Sequence, residues 1–120
     1  MEAKRWKKKL VEMCTEVGTM KPAFTSVIAT LADILCQRDA AYQAFVESGA
    51  EICIEKTNAR GDSNLARNPR YQAWVELNTQ ALAYWRDLGL TPAGLKKIDE
   101  QALKGKKQSA LADALKELGS

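Results

Sequence analysis

The 120-residue chain contains no histidine. Its absence removes the commonest general base and any His-activated nucleophile. Cysteine is scarce too: Cys14, Cys36 and Cys53 are odd in number and widely spaced, with no Cys-x-x-Cys. Neither a disulfide framework nor a typical zinc site is expected, and no metal or other cofactor is predicted. There is no glycine-rich Walker loop, so the chain is not expected to hydrolyse ATP unaided. Asp33 and Asp39 are too poorly phased to share a helix face, and the other carboxylates are scattered among lysines. A metal-dependent nuclease would need them clustered. The sequence therefore offers no catalytic residue. No apolar run approaches the ~20 residues that span a bilayer, so no membrane partner is expected. The basic start is not followed by an apolar segment, so it does not read as a secretory signal.

What is present is ordinary in bulk and uneven in detail. Hydrophobic residues make up 46% and charged residues 28%, the composition of a globular domain. The length predicts one domain, and the cysteine usage suits an intracellular protein with thiols as small apolar fillers. The net charge is +3. Lys4, Arg5, Lys7, Lys8 and Lys9 stand against Glu2 in the first ten residues, a balance of +4, which leaves −1 for the rest. Two readings follow from this cluster. It is a frayed, solvated arm, or it is a segment that neutralises nucleic-acid phosphates. Charge alone does not choose between them.

Periodicity predicts an all-α fold of four main helices, one short extended segment and an amphipathic C-terminal tail. Trp6, Leu10, Met13, Cys14 and Val17 mark a first helix over 4–17. Phe24, Val27, Ile28, Leu31, Ile34, Leu35, Tyr42, Phe45 and Val46 mark a second from 21 or 22 to about 47, interrupted by Arg38. At 1.5 Å per residue it would be about 40 Å long, more than one small domain easily covers. Part of the stripe is therefore expected to pack on another subunit. Glu51-Ile52-Cys53-Ile54-Glu55-Lys56 alternates like a strand, without an evident partner in the chain. It reads as a connector, or as a strand pairing with another copy. Residues 57–64 read as a polar loop, flanked by Arg60, Arg67 and Arg70. These arginines suit a solvated loop better than a phosphate site.

Helix punctuation is clearest after that loop. Asn68 and Pro69 give the cap and first position of a third helix, closed by Gly89. Tyr71, Trp74, Val75, Leu82, Trp85 and Leu88 form its apolar face. Aromatics at that spacing are usually core rather than base-stacking platforms. Thr91-Pro92 repeats the start signal for a short fourth helix to about 103. Residues 104–109 are basic and read as a hinge, before Leu111, Leu115 and Leu118 resume helical spacing. The expected division is a helical domain over 1–103 and a hinge with a partner-docking segment over 104–120.

The string Ala81-Leu82-Ala83-Tyr84-Trp85-Arg86-Asp87-Leu88-Gly89-Leu90-Thr91-Pro92-Ala93-Gly94-Leu95 resembles the C-terminal signature of one family of small terminase subunits from tailed bacteriophages and prophages. Lys21-Pro22-Ala23-Phe24, Leu31-Ala32-Asp33-Ile34-Leu35, Arg38-Asp39-Ala40-Ala41-Tyr42 and Asn64-Leu65-Ala66-Arg67-Asn68-Pro69-Arg70 also resemble that family. The resemblance covers residues 18–98, and it is carried by the order and spacing of these segments. It implies a non-enzymatic DNA-packaging adaptor in the host bacterial cytoplasm. Such a protein binds double-stranded phage DNA, assembles into a homo-oligomeric ring and regulates the large terminase subunit. Lys4, Arg5, Lys7, Lys8 and Lys9 are then the first choice for DNA contacts, with Arg60, Arg67 and Arg70 second. Leu31, Leu35 and Tyr42 of the long helix and Ile52 and Ile54 of the strand would supply subunit contacts. The segment from Ala110 would meet the large subunit.

Two rivals stand beside this reading. A helix-turn-helix transcription regulator would use the first helix pair, although the second helix is too long and lacks clustered Arg, Asn and Gln on its polar face. A purely structural helical interaction module would leave the basic arm without a role.

Overall fold

The computed structural model of the protein describes residues 1–119. It is 73% helical. Three helices form the packed body: α1 (Ala3–Val17), α2 (Thr25–Glu47) and α3 (Pro69–Asp87). A short 3-10 turn, Pro22–Phe24, leads into α2. A hairpin of β1 (Cys53–Thr57) and β2 (Ser63–Arg67) joins α2 to α3, and α4 (Pro92–Leu118) follows α3.

The core is built where the apolar stripes of the three body helices meet. Trp6, Leu10 and Cys14, one turn apart on α1, pack against Ile28, Leu31, Ala32 and Leu35 of α2 and against Ala81 and Leu88 of α3. Leu31 and Leu35 are fully buried there. They have no surface to offer a second subunit, which corrects their expected place in an interface. The long stripe is covered from within: α1 lies along the first part of α2, and α3 runs antiparallel to it. Past α1, the rings of Phe45 and Tyr71 sit 5.5 Å apart and those of Tyr42 and Trp74 5.3 Å apart.

Local signals fix the turns. Gly18 adopts φ +82°, and the amide of Thr19 reaches back to the Cys14 carbonyl at 2.9 Å, closing α1. Gly89, at φ +72°, lets the amide of Leu90 do the same to Trp85 at 2.8 Å. The two helix ends are then tied together: Thr19 donates its hydroxyl to the Leu88 carbonyl at 2.7 Å, in a buried position. Asn68 and Thr91 cap α3 and α4, accepting from the amides of Arg70 and Gly94 at 3.1 Å each.

Two expectations need correction. The extended segment does have a partner in its own chain. β1 and β2 pair antiparallel from Cys53 opposite Arg67 to Thr57 opposite Ser63. Asn58 organises the turn between them, its side-chain oxygen accepting from the amides of Arg60 and Asp62 at 2.9 and 3.0 Å. Residues 57, 63 and 64, read as part of the loop, are strand.

The second correction concerns the end of the chain. α4 is one continuous 27-residue helix rather than a short helix, a hinge and a tail. Lysine and glutamine are good helix formers, and Gly105 alone costs only about 1 kcal/mol. Only its first turns touch the body: Gly94 is buried and Leu95 and Ile98 half-buried, whereas every residue from Asp99 to Gly119 is exposed. The protein measures 84 × 30 × 21 Å with a radius of gyration of 22.3 Å. A compact chain of this length would have about 14 Å. The excess is α4, standing out from the end of the body opposite the hairpin.

Candidate nucleic-acid interface

The cationic start of α1 is held by a buried anchor. Trp6 is only 8% exposed and meets Trp85 edge-on at 6.4 Å between ring centroids. Its indole N–H donates to Asp39 Oδ2 at 2.8 Å. Arg38 donates to Asp39 Oδ1 at 3.2 Å and lies 5.5 Å from the Trp6 ring centroid. That is why an arginine interrupts the apolar stripe of α2: it caps the anchor from above while its charge stays partly solvated. The N-terminal ammonium also pairs with Asp39, at 3.2 Å. Burial works against the charged form of Asp39. Hydrogen bonds from Trp6, the N-terminus and Arg38 together outweigh it and hold the carboxyl below its ordinary range.

Around this anchor, Lys4, Arg5, Lys7, Lys8 and Lys9 are all exposed. Lys4 with Lys8, and Arg5 with Lys9, are like charges one turn apart, an arrangement that disfavours the helix. The first turn carries no acidic residue, and Glu2 makes no side-chain cap bond. Cations at a helix N-terminus also oppose the dipole. The helix therefore forms through burial of Trp6, Leu10 and Cys14 and presents a repulsive cationic surface to solvent. Lys9 is the most restrained of the five, its Nζ 5.2 Å from the Trp6 ring centroid.

The second group of predicted contacts lies on the hairpin and the start of α3. Arg60 is at the exposed hairpin tip, Arg67 ends β2 with its guanidinium 5.8 Å from the Tyr71 ring centroid, and Arg70 is exposed in the first turn of α3. α1 begins beside Asp39, and the hairpin follows α2 only two turns later. Both basic groups thus lie toward the same end of the body, away from α4, but on separate elements. Tyr42 is 47% and Ile52 51% exposed, while Ile54 is half-buried. The basic residues of 104–109, expected in a hinge, stand instead on α4: Lys104, Lys106 and Lys107, with Lys96 and Lys97 before them, are exposed along one rod.

Among the described residues, no buried side-chain polar atom lacks a hydrogen-bond partner. None of their Cys, Asp or Glu side chains form a group of three or more able to hold a metal ion. No helix among them is long and apolar enough to cross a membrane. The helix-turn-helix alternative would use the first helix pair to read DNA; in this pair α1 packs on α2, with Trp6 donating to Asp39.

The body is helical, and α1 turns an exposed basic side to solvent. Residues 3–104 match the family described as phage terminase, small subunit. The chain belongs to that family. No curated protein and no solved structure is significantly similar to it. Members of the family are generally non-catalytic packaging components acting in the host cell, and membership implies association with phage DNA and the large terminase subunit.

Proposed function

We propose that this chain is the DNA-binding adaptor of a phage packaging machine, contacting duplex phosphates through the outer side of α1 and assembling with further copies of itself. The observation that carries the reading is the cationic helix start itself. Five exposed basic residues repel one another on a helix held in place by the buried Trp6, Leu10 and Cys14 and by the bond from Trp6 to Asp39. A local conflict of that kind, sustained by specific compensation, is what a functional surface looks like. Contacts of this type fix the protein on DNA through the backbone and carry little base information. Arg60, Arg67 and Arg70 are the auxiliary contacts, and Tyr42, Ile52 and Ile54 remain the surface offered to a neighbouring subunit. The C-terminal segment from Ala110 is the part offered to the large subunit.

The test replaces Lys7, Lys8 and Lys9 by Glu. All three are exposed, so the fold should tolerate the change. Binding to duplex DNA at low salt should weaken by at least tenfold. The dependence of log affinity on log salt should become shallower by roughly 0.9 for each phosphate that is no longer neutralised. Unchanged affinity and slope would move the DNA-binding surface to Arg60, Arg67 and Arg70.

A further inference from the structure

The far end of α4 carries an apolar stripe that its own chain leaves uncovered. Leu111, Leu115 and Leu118 are 63%, 60% and 83% exposed. Leu111 follows Leu95, which faces the body, by 16 residues. At 100° and 1.5 Å per residue it lies about 160° around the helix and about 24 Å further out. The stripe thus points away from α3 and cannot fold back, because α4 is continuous. In proteins most helical stability comes from tertiary packing of an apolar face, and the exposed part of α4 has no such packing within its own chain.

At the root of the same helix lies an apolar groove without an occupant. Two depressions of about 480 and 560 Å³ adjoin through Pro92 and Leu95. Met13, Val17 and Leu90 line one and Leu103 the other. Val17 and Leu103 are 38% and 54% exposed. The rim is acidic, with Glu16, Asp99 and Glu100 against Lys96. From Lys104 on, the part of α4 that bears the leucine stripe is basic, with Lys104, Lys106, Lys107 and Lys116 against Asp113 and Glu117.

We infer that the leucine stripe of α4 docks into the root groove of a second copy of this chain. The occupant has the shape the groove needs, an amphipathic helix offering side chains at i, i+4 and i+7. Its charge is opposite to that of the rim, and its own groove is out of reach. The inference rests on the assembly reading above and adds to it a donor, an acceptor and a regulatory consequence. In the free assembly a neighbour holds the stripe, so the large subunit reaches it only by displacing that neighbour.

The experiment uses the full chain and light-scattering mass. Leu111→Asp with Leu115→Asp disables the stripe, and Val17→Asp with Leu103→Asp disables the groove. All four positions are exposed in the monomer, and retained helical circular dichroism verifies folding. Each variant alone should lose the oligomeric mass and fall toward the 13.3 kDa chain. Mixing the two should give a 1:1 complex, because one partner keeps an intact stripe and the other an intact groove. Either variant assembling as the unsubstituted protein does, or no complex on mixing, would overturn this docking while leaving assembly through another surface in place. An unsubstituted protein that is itself monomeric would remove the assembly reading and this inference with it.

Discussion

The Trp6 indole donates to the Asp39 carboxylate at 2.8 Å, and through that bond α2 holds a helix start that carries five cations. Without it, both like-charge repulsion and the helix dipole favour unwinding the first turns of α1. Asp39→Ala should therefore lower stability by about 1–3 kcal/mol, since it removes a part-buried acceptor from a paired donor. Thermal melting would measure it, and hydrogen exchange should place the greatest loss of protection in α1.

The same residue sets a pH dependence. The Asp39 carboxyl titrates below its ordinary range in the folded protein. Its contribution is fully present above the unfolded value of about 3.9 and is lost as pH falls through the lower folded value. Asp39→Asn should flatten that part of the acid-unfolding curve. An acid limb identical to that of the unsubstituted protein would show that Asp39 does not set it.

Asn68 is almost completely buried, at 2% exposure, and serves both the hairpin and α3. Its side-chain oxygen accepts from the Arg70 amide at 3.1 Å, its side-chain amide donates to the Glu51 carbonyl at 2.9 Å, and its backbone amide donates to Ile52 at 2.8 Å. Asn68→Ala should cost about 1–2 kcal/mol, at the upper end for a cap because a second buried bond disappears with it. Asn68→Asp should restore the cap but not the bond to Glu51, giving an intermediate melting temperature.

Such caps were legible in the sequence because they are local: Asn68-Pro69 and Thr91-Pro92 act within one turn, and Gly89 needs only its own φ. The burial of Trp6, Leu10 and Cys14 was legible from spacing as well. β2 was not, because Ser63–Arg67 has no apolar alternation. Its one large apolar side chain, Leu65, is 81% exposed. Backbone pairing and the Asn58 turn make that strand, and neither leaves a periodic signature. The role of Leu31 and Leu35 was misjudged for a different reason: a stripe records that burial occurs, but not which helix provides it. At the candidate interface the charges were plain, whereas the tie of Trp6 to Asp39 joins residues 33 apart in sequence.

Gly94 marks where α4 presses against the end of α3. A Cβ added there would collide with the backbone carbonyl of Arg86. Backbone cannot step aside as a side chain can, so Gly94→Ala should destabilise by about 1–3 kcal/mol despite the better helix propensity of alanine. Gly105, further along the same helix, has open space around it. Gly105→Ala should therefore strengthen α4 by about 1 kcal/mol. Helical content by circular dichroism, compared between the two variants, reads both effects.

The most direct measurement is solution mass by light scattering, with and without duplex DNA, at low and high salt. The adaptor reading predicts a closed oligomer of several 13.3 kDa chains that gains mass on DNA at low salt and releases the DNA as salt rises. A 13.3 kDa monomer indifferent to DNA at either salt would contradict it.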